Sequence, residues 1–137
     1  MNTRTETAPA LVVGAWSLIS LTATDAHGAT RHLLGPGARG ILIYTADGQM
    51  SAQVAGPAGY IGYAGSYQWL GDRVVHHTTV GSSAEWHGVE LPRTVRWEED
   101  RLVLRSLPDD SRPTLTATWR RARPVPAAAG PQQEDAP

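Results

Sequence analysis

The feature that most constrains the fold is a series of short segments in which apolar and polar residues alternate, each ending at a turn signal. The clearest part spans residues 41–80, where Asp47-Gly48 and Gly71-Asp72 each join two such segments. Glycine and aspartate tolerate the positive φ angles that two-residue hairpin turns require. No segment of helical length shows a 3.6-residue period. The sequence therefore predicts an all-β protein built from consecutive hairpins.

The arrangement of these segments favours a closed barrel over a sandwich. Most connections are short enough to be hairpins, and closing the sheet removes exposed strand edges. We expect an antiparallel up-and-down β-barrel of about eight to ten strands around a central ligand cavity. The barrel should span residues 10–122. A polar arm, 1–9, and a tail rich in proline and alanine, 123–137, lack the apolar content needed for order.

Composition excludes several classes of function. The formal net charge is −1 and no basic stripe is present, which argues against a nucleic-acid partner. The chain has no cysteine, so disulfides, thiolate nucleophiles and zinc–thiolate sites are excluded. It also has no lysine, which removes Schiff-base chemistry. Because we find neither a secretory signal nor a membrane span, we expect a cytoplasmic protein with no membrane partner.

Two motifs at the ends of the predicted barrel resemble the ends of lipocalins. Gly14-Ala15-Trp16 is similar to the Gly-x-Trp signature of the first lipocalin strand. Arg120 or Arg121 resembles the last-strand arginine that packs on that tryptophan. Between them, the chain is similar to the bacterial and fungal lipocalin-like domain family in three segments, IYTADGQMSA at 43–52, YAGSY at 63–67 and GDRVVHH at 71–77.

This resemblance implies a small barrel that encloses a hydrophobic molecule. Some related small barrels in natural-product clusters are cofactor-free cyclases, including Diels–Alder catalysts. The resemblance therefore also implies, less firmly than it implies a ligand cavity, that the barrel catalyses a cyclisation without a cofactor. The chain departs from secreted lipocalins because it lacks both a signal peptide and cysteines. That difference argues against extracellular transport.

Three residues are candidates for chemistry: His76, Arg93 and Tyr63. His76 is in phase with Val74 and should point into the barrel, where a neutral imidazole can donate or accept a proton. The alternative is a core histidine that is hydrogen-bonded to a tyrosine. Arg93 is in phase with apolar neighbours, and an inward guanidinium needs a carboxylate or a ligand oxygen. Its alternative is a register shift near Pro92 that would leave it outside.

Aromatic and apolar side chains on the same predicted faces are candidates for ligand binding. Tyrosine combines an apolar ring with an orienting hydroxyl, and tryptophans form hydrophobic walls. The predicted ligand-binding residues are Tyr44, Met50, Tyr67, Trp69, Trp86 and Trp97. His77 has the opposite parity to His76, so the pair is a poor chelate and no metal site is predicted.

Three functions are compatible with such a cavity. The first is a cofactor-independent cyclase or isomerase acting on a hydrophobic, polyketide-like molecule, which would be held in a reactive conformation. The second is a carrier that binds a similar molecule without changing it. The third is a haem-binding barrel with His76 as the axial ligand. We favour the first, with no cofactor, a small-molecule substrate as the partner, and a monomeric or homodimeric state.

Overall fold

The computed structural model describes residues 10–126, and all of its regular structure is β. Within this range nine strands follow one another along the chain: β1 (Gly14–Thr24), β2 (Thr30–His32), β3 (Arg39–Tyr44), β4 (Gln49–Gly56), β5 (Gly59–Trp69), β6 (Arg73–Gly81), β7 (Glu90–Glu98), β8 (Arg101–Ser106) and β9 (Thr114–Arg121).

The strands form one closed antiparallel sheet. From β3 to β9 each strand pairs with the next, and β9 pairs with β1, which closes an eight-stranded barrel. The ninth strand, β2, pairs with residues 22–24 at the end of β1, and β3 pairs with residues 14–17 at its start. These two short strands therefore share one edge of β1. The predicted up-and-down barrel is confirmed.

The turns explain why neighbouring strands pair in this order. Gly48 and Gly71 have φ angles of 96° and 93°, as expected from the predicted hairpin turns. The connection between β4 and β5 is a tight turn, because Gly56 and Gly59 pair with each other. Only Pro57 and Ala58 lie between the two strands, so the missing N–H of the proline falls in the turn.

The predicted inward faces are buried, with one local exception. Leu42 and Tyr44 of β3, and Val74 and His76 of β6, are each at most 1% exposed. Val80 has the same parity as His76 but is 56% exposed. The register of β5 and β6 shifts between the pairs Gly65–Thr78 and Ala64–Val80. This β-bulge reverses the inward and outward alternation at the end of β6, so the side chain of Val80 points outward.

One end of the barrel is filled by a tryptophan and an arginine. Trp16 is 1% exposed and donates from Nε1 to the carbonyl of Val12, 3.0 Å away. The Arg121 guanidinium lies 4.2 Å from the Trp16 ring centroid. Its Nη1 donates to the carbonyl of Val13 over 2.7 Å, which ties β9 to the segment before β1. Burial, a cation–π contact and hydrogen bonds together cover this end, which we call the closed end.

Two predictions about the chain ends fall largely beyond the structure. The arm 1–9 lies outside the described residues, as do residues 127–137 of the predicted tail. In the part that is described, no helix has the length and apolar character needed to cross a membrane.

The glycine of the first motif is required by both backbone and space. Gly14 has a φ of 125°, and a Cβ there would lie 2.8 Å from Arg121 Nη1. We expect Gly14→Ala to lower the free energy of unfolding by about 1–3 kcal/mol, because strain at this φ adds to displacement of the arginine. Urea unfolding measures this change. Gly28→Ala is the control, since Gly28 also has a positive φ but open space around it. Equal losses in the two variants would contradict the role assigned to Arg121.

Candidate functional site

Two adjoining cavities lie toward the other end of the barrel. The inner cavity, of about 60 Å³, lies inside the barrel and is lined by residues that include Tyr63, His76, Arg93 and Trp119. The mouth cleft, of about 1000 Å³, lies between the segments that leave β6 and β8 and those that enter β7 and β9. Five residues line both spaces: Leu33, Ile61, Trp86, Arg93 and Leu115. The open end of the barrel therefore leads from a wide cleft to a small cavity beneath it.

A chain of three hydrogen-bonded side chains crosses the barrel interior. His76 on β6 is 1% exposed, and its Nε2 lies 2.6 Å from the hydroxyl of Tyr44 on β3. Its Nδ1 lies 2.9 Å from the hydroxyl of Tyr63 on β5. Tyr63 and His76 line the inner cavity, whereas Tyr44 lies behind them. The chain therefore runs from a fully enclosed hydroxyl to one at the cavity wall.

His76 is held in its neutral form. Burial lowers its pKa to about 3, and the positive charges of Arg93 and His77 act in the same direction. A neutral imidazole has one N–H donor and one acceptor nitrogen. Both ring nitrogens already face tyrosine hydroxyls, so neither is free to coordinate a haem iron in this arrangement. The geometry matches the alternative of a buried histidine bonded to tyrosine, but extends it to two tyrosines.

The burial of these groups favours one direction of donation in the hydrogen bonds that join Tyr44, His76 and Tyr63. The Tyr44 hydroxyl is enclosed and has His76 Nε2 as its partner, so its proton is satisfied only by donating to that nitrogen. Nδ1 then carries the ring proton and donates to the Tyr63 oxygen. The proton of Tyr63 is left for an acceptor at the inner cavity. Burial raises the pKa of Tyr63 and the nearby charge of Arg93 lowers it, so Tyr63 is a neutral donor at physiological pH.

Arg93 lies on β7 and lines both cavities. The pairs Val74–Arg93 and Val75–Pro92 continue one register, so the shift at Pro92 that would place it outside does not occur. Its Nη1 donates to the Pro92 carbonyl over 3.1 Å. Among residues 10–126, no carboxylate forms an ion pair with it. Burial lowers its pKa, which is the effect of removing a guanidinium from water without a charged partner.

Trp86 connects the two cavities. It lies in the segment 82–89 between β6 and β7, is 7% exposed and stacks on Tyr63, with ring centroids 5.7 Å apart and planes 13° apart. Gly81 allows this segment to fold inward, because a Cβ there would overlap the Trp86 carbonyl oxygen. The neighbouring Glu85 and His87 are exposed. Of the predicted ligand-binding residues, Trp86 is the one found in the walls of both spaces.

The remaining predicted ligand-binding residues fill other parts of the barrel. Tyr44, Met50 and Tyr67 are buried in the core toward the closed end, and the Tyr67 hydroxyl donates to the Thr45 carbonyl over 2.6 Å. Trp97 packs against the closing Trp16, with ring centroids 6.0 Å apart. The walls of the inner cavity and of the mouth cleft contain none of the five predicted residues Tyr44, Met50, Tyr67, Trp69 and Trp97. Their assignment as ligand contacts stays a prediction.

The sequence analysis did not identify Trp119 as a site residue. It is 3% exposed, lines the inner cavity, and its Nε1 has no hydrogen-bond partner within the described part of the chain. A buried indole N–H without an acceptor has no sequence signal, because the position of the surrounding carbonyl groups decides it.

His77 lies outside this site. Its side chain is 37% exposed and its Nδ1 lies 3.3 Å from Glu90 Oε2, so its predicted outward direction is confirmed. Across residues 10–126, no group of three or more histidine, aspartate or glutamate side chains is arranged to hold a metal ion.

Comparison with known proteins agrees with the fold. The lipocalin-like domain family matches residues 13–59. A similar solved structure is a lipocalin-like protein from Bacteroides uniformis, at 15% identity and a TM-score of 0.52, covering 82% of this chain and 99% of that one. A lipoprotein, YedD, from Klebsiella pneumoniae is 18% identical with a TM-score of 0.46, covering 98% and 88%. No curated protein matches. The resemblance inferred from the motifs is confirmed.

The enclosed imidazole predicts a dependence of stability on pH. The pKa of His76 is about 3 in the folded protein and 6.5 when solvated. The unfolded chain therefore binds the proton first, and stability is lost as pH falls below 6.5. Between pH 7 and pH 5.5 we expect His76 alone to reduce the free energy of unfolding by about 1 kcal/mol, since one pKa unit corresponds to about 1.4 kcal/mol.

Urea unfolding of wild type and His76→Gln at the two pH values measures this contribution, with exposed His87→Gln as the control. The His76 variant should lose about 1 kcal/mol of the change between the two pH values, and the His87 variant should keep it. NMR titration of the wild-type imidazoles provides a second readout. A His76 resonance that titrates near pH 6.5 would contradict the assignment of an enclosed, neutral ring.

Proposed function

Because the chain is a lipocalin-like β-barrel, we propose that it binds a hydrophobic small molecule in the mouth cleft. The observation that carries this proposal is the size of the cleft, about 1000 Å³, at the upper end of the range of small-molecule sites. Its walls include Leu34, Ile61, Trp86 and Leu91, and the half-buried Leu107 lies at its edge. These side chains match an apolar ligand body.

We further propose that the ligand is a carbonyl-containing, polyketide-like molecule and that the barrel catalyses its cyclisation or isomerisation without a cofactor. The cleft would hold a flexible chain in a reactive conformation. Tyr63 and Arg93 would donate to an oxygen on which negative charge develops. His76 would act through Tyr63, because both its ring nitrogens are occupied by tyrosines. The competing proposal is a carrier that uses the same contacts without a reaction.

Binding can be tested first, with the neutral fluorescent probe N-phenyl-1-naphthylamine. Leu107→Gln places a polar group in the mouth cleft, and we expect it to weaken probe binding by at least about fivefold through lost apolar contact. Val80→Gln is the matched control, because Val80 is 56% exposed on the outside of the barrel. Fluorescence titration gives both affinities. Equal effects of the two variants, or no probe binding at all, would contradict the mouth cleft as the site.

Native mass spectrometry of protein purified from a bacterial host can identify the retained ligand. We expect the protein to convert an open-chain precursor of that ligand, as followed by liquid chromatography and mass spectrometry. Tyr63→Phe should slow conversion by about 10²-fold, the usual effect of removing one donor to a developing oxyanion. Tyr60→Phe is the control, because Tyr60 is 56% exposed. A precursor recovered unchanged would favour the carrier.

A further inference from the structure

The inner cavity presents donors whose protons lack acceptors. Trp119 Nε1 is buried and unpartnered among the described residues. The Arg93 guanidinium has five N–H groups, and its one described hydrogen bond is to the Pro92 carbonyl. Tyr63 adds a hydroxyl proton that the histidine chain leaves uncommitted. Leaving a buried donor unpaired costs about 1–3 kcal/mol, and this cost falls on the Trp119 N–H, because Arg93 is half-buried and also borders the mouth cleft. An acceptor inside the cavity would remove it.

The charge of the cavity has one sign. Arg93 is the charged side chain in its described walls, and these walls contain no aspartate or glutamate. The acidic residues nearby line the mouth cleft instead. Glu90 contacts His77, Asp109 accepts hydrogen bonds from Ser111, and Glu85 is exposed. The positive charge inside therefore has no internal counter-ion among the described residues.

We propose that the inner cavity binds the carboxylate head group of an amphipathic ligand, with Arg93, Trp119 and Tyr63 as donors. This inference rests on the proposed function, because the apolar body of the same molecule occupies the mouth cleft. Since it commits Arg93 and Tyr63 to the carboxylate, it supports the carrier and leaves neither donor for a developing oxyanion. A carboxylate has two oxygens and about four lone-pair sites, and a guanidinium can donate to both oxygens. One anionic group would satisfy the three donors and balance the charge of Arg93.

The volumes fix the direction of entry. The inner cavity holds about 60 Å³, enough for a few heavy atoms, whereas the mouth cleft holds about 1000 Å³. A chain of ten carbons therefore fits the cleft and not the cavity. The ligand enters with its acidic end first and leaves its apolar end between the segments at the mouth.

A matched series of probes tests this inference by isothermal titration calorimetry: decanoic acid, methyl decanoate and decylamine at pH 7.5. We expect the acid to bind at least about tenfold more tightly than the ester, as hydrogen bonds to a charged group imply. The amine should bind more weakly than the ester, since its charge repels Arg93. Trp119→Phe keeps an aromatic ring and removes the N–H. It should weaken binding of the acid by about three- to tenfold and leave the affinity for the ester unchanged.

Variants of the two β7 arginines provide the controls. Arg93→Met should abolish the preference for the acid. Should this variant fail to fold, Arg93→Lys takes its place, and it should retain part of the preference because it keeps the positive charge. Arg96→Met removes an equal charge outside the barrel, where Arg96 pairs with Glu98 at 2.6 Å, and should keep the full preference. Equal affinities for acid and ester in the wild type would overturn the inference, as would a loss of preference in Arg96→Met.

The series also separates this inference from the proposed function. If the ester or the naphthylamine probe binds and the acid has no advantage, the mouth cleft stands as a ligand site and the head-group site is wrong. If neither the probes of this series nor the naphthylamine binds, the proposed function itself fails and the head-group site fails with it.

Discussion

Closure of the sheet between β1 and β9 is the constraint on which the rest of the structure depends. The register runs from Thr24–Thr114 to Trp16–Arg121, so it joins the two ends of the chain along nearly the whole of both strands. It also places Arg121 over Trp16, which covers one end of the barrel. Because residues of the closing strands themselves cover one end, the mouth cleft at the opposite end is the route for a ligand among the described residues.

This closure separates the interior into two parts with different chemistry. Toward the closed end, aromatic residues pack on one another, as Tyr44 and Tyr67 do with ring centroids 4.5 Å apart. Above them, the hydrogen-bonded histidine and the unpaired donors of Arg93 and Trp119 border the inner cavity. The enclosed Tyr44–His76 pair links these parts, because it sets the direction of the bonds that leave the Tyr63 proton at the cavity.

Much of the fold follows from the sequence because two local signals determine it. Turn residues such as Asp47-Gly48 fix where strands end, and the alternation of polarity fixes which side chains point inward. Parity does not give the height of a residue along the barrel axis, which depends on the stagger between strands. Tyr44 and Met50 were therefore correctly predicted to point inward, but the structure places them below the cavities. The bulge near Val80 likewise arises from pairing with β5, which no local pattern of β6 encodes.

The candidate site is less predictable than the fold because its chemistry depends on what is missing around a side chain. An inward arginine has a sequence signal, and Arg93 was found by it. Whether that arginine meets a carboxylate depends on strands that are distant in sequence, and the described walls offer none. Whether the N–H of Trp119 meets an acceptor likewise depends on strands that are distant in sequence, and the described residues offer none. A residue without a polar atom in place of Trp119 would avoid the cost of desolvating an indole N–H that has no partner among the described residues. A ligand oxygen that reaches both this N–H and the guanidinium of Arg93, which lines the inner cavity and the cleft beside it, would remove that cost.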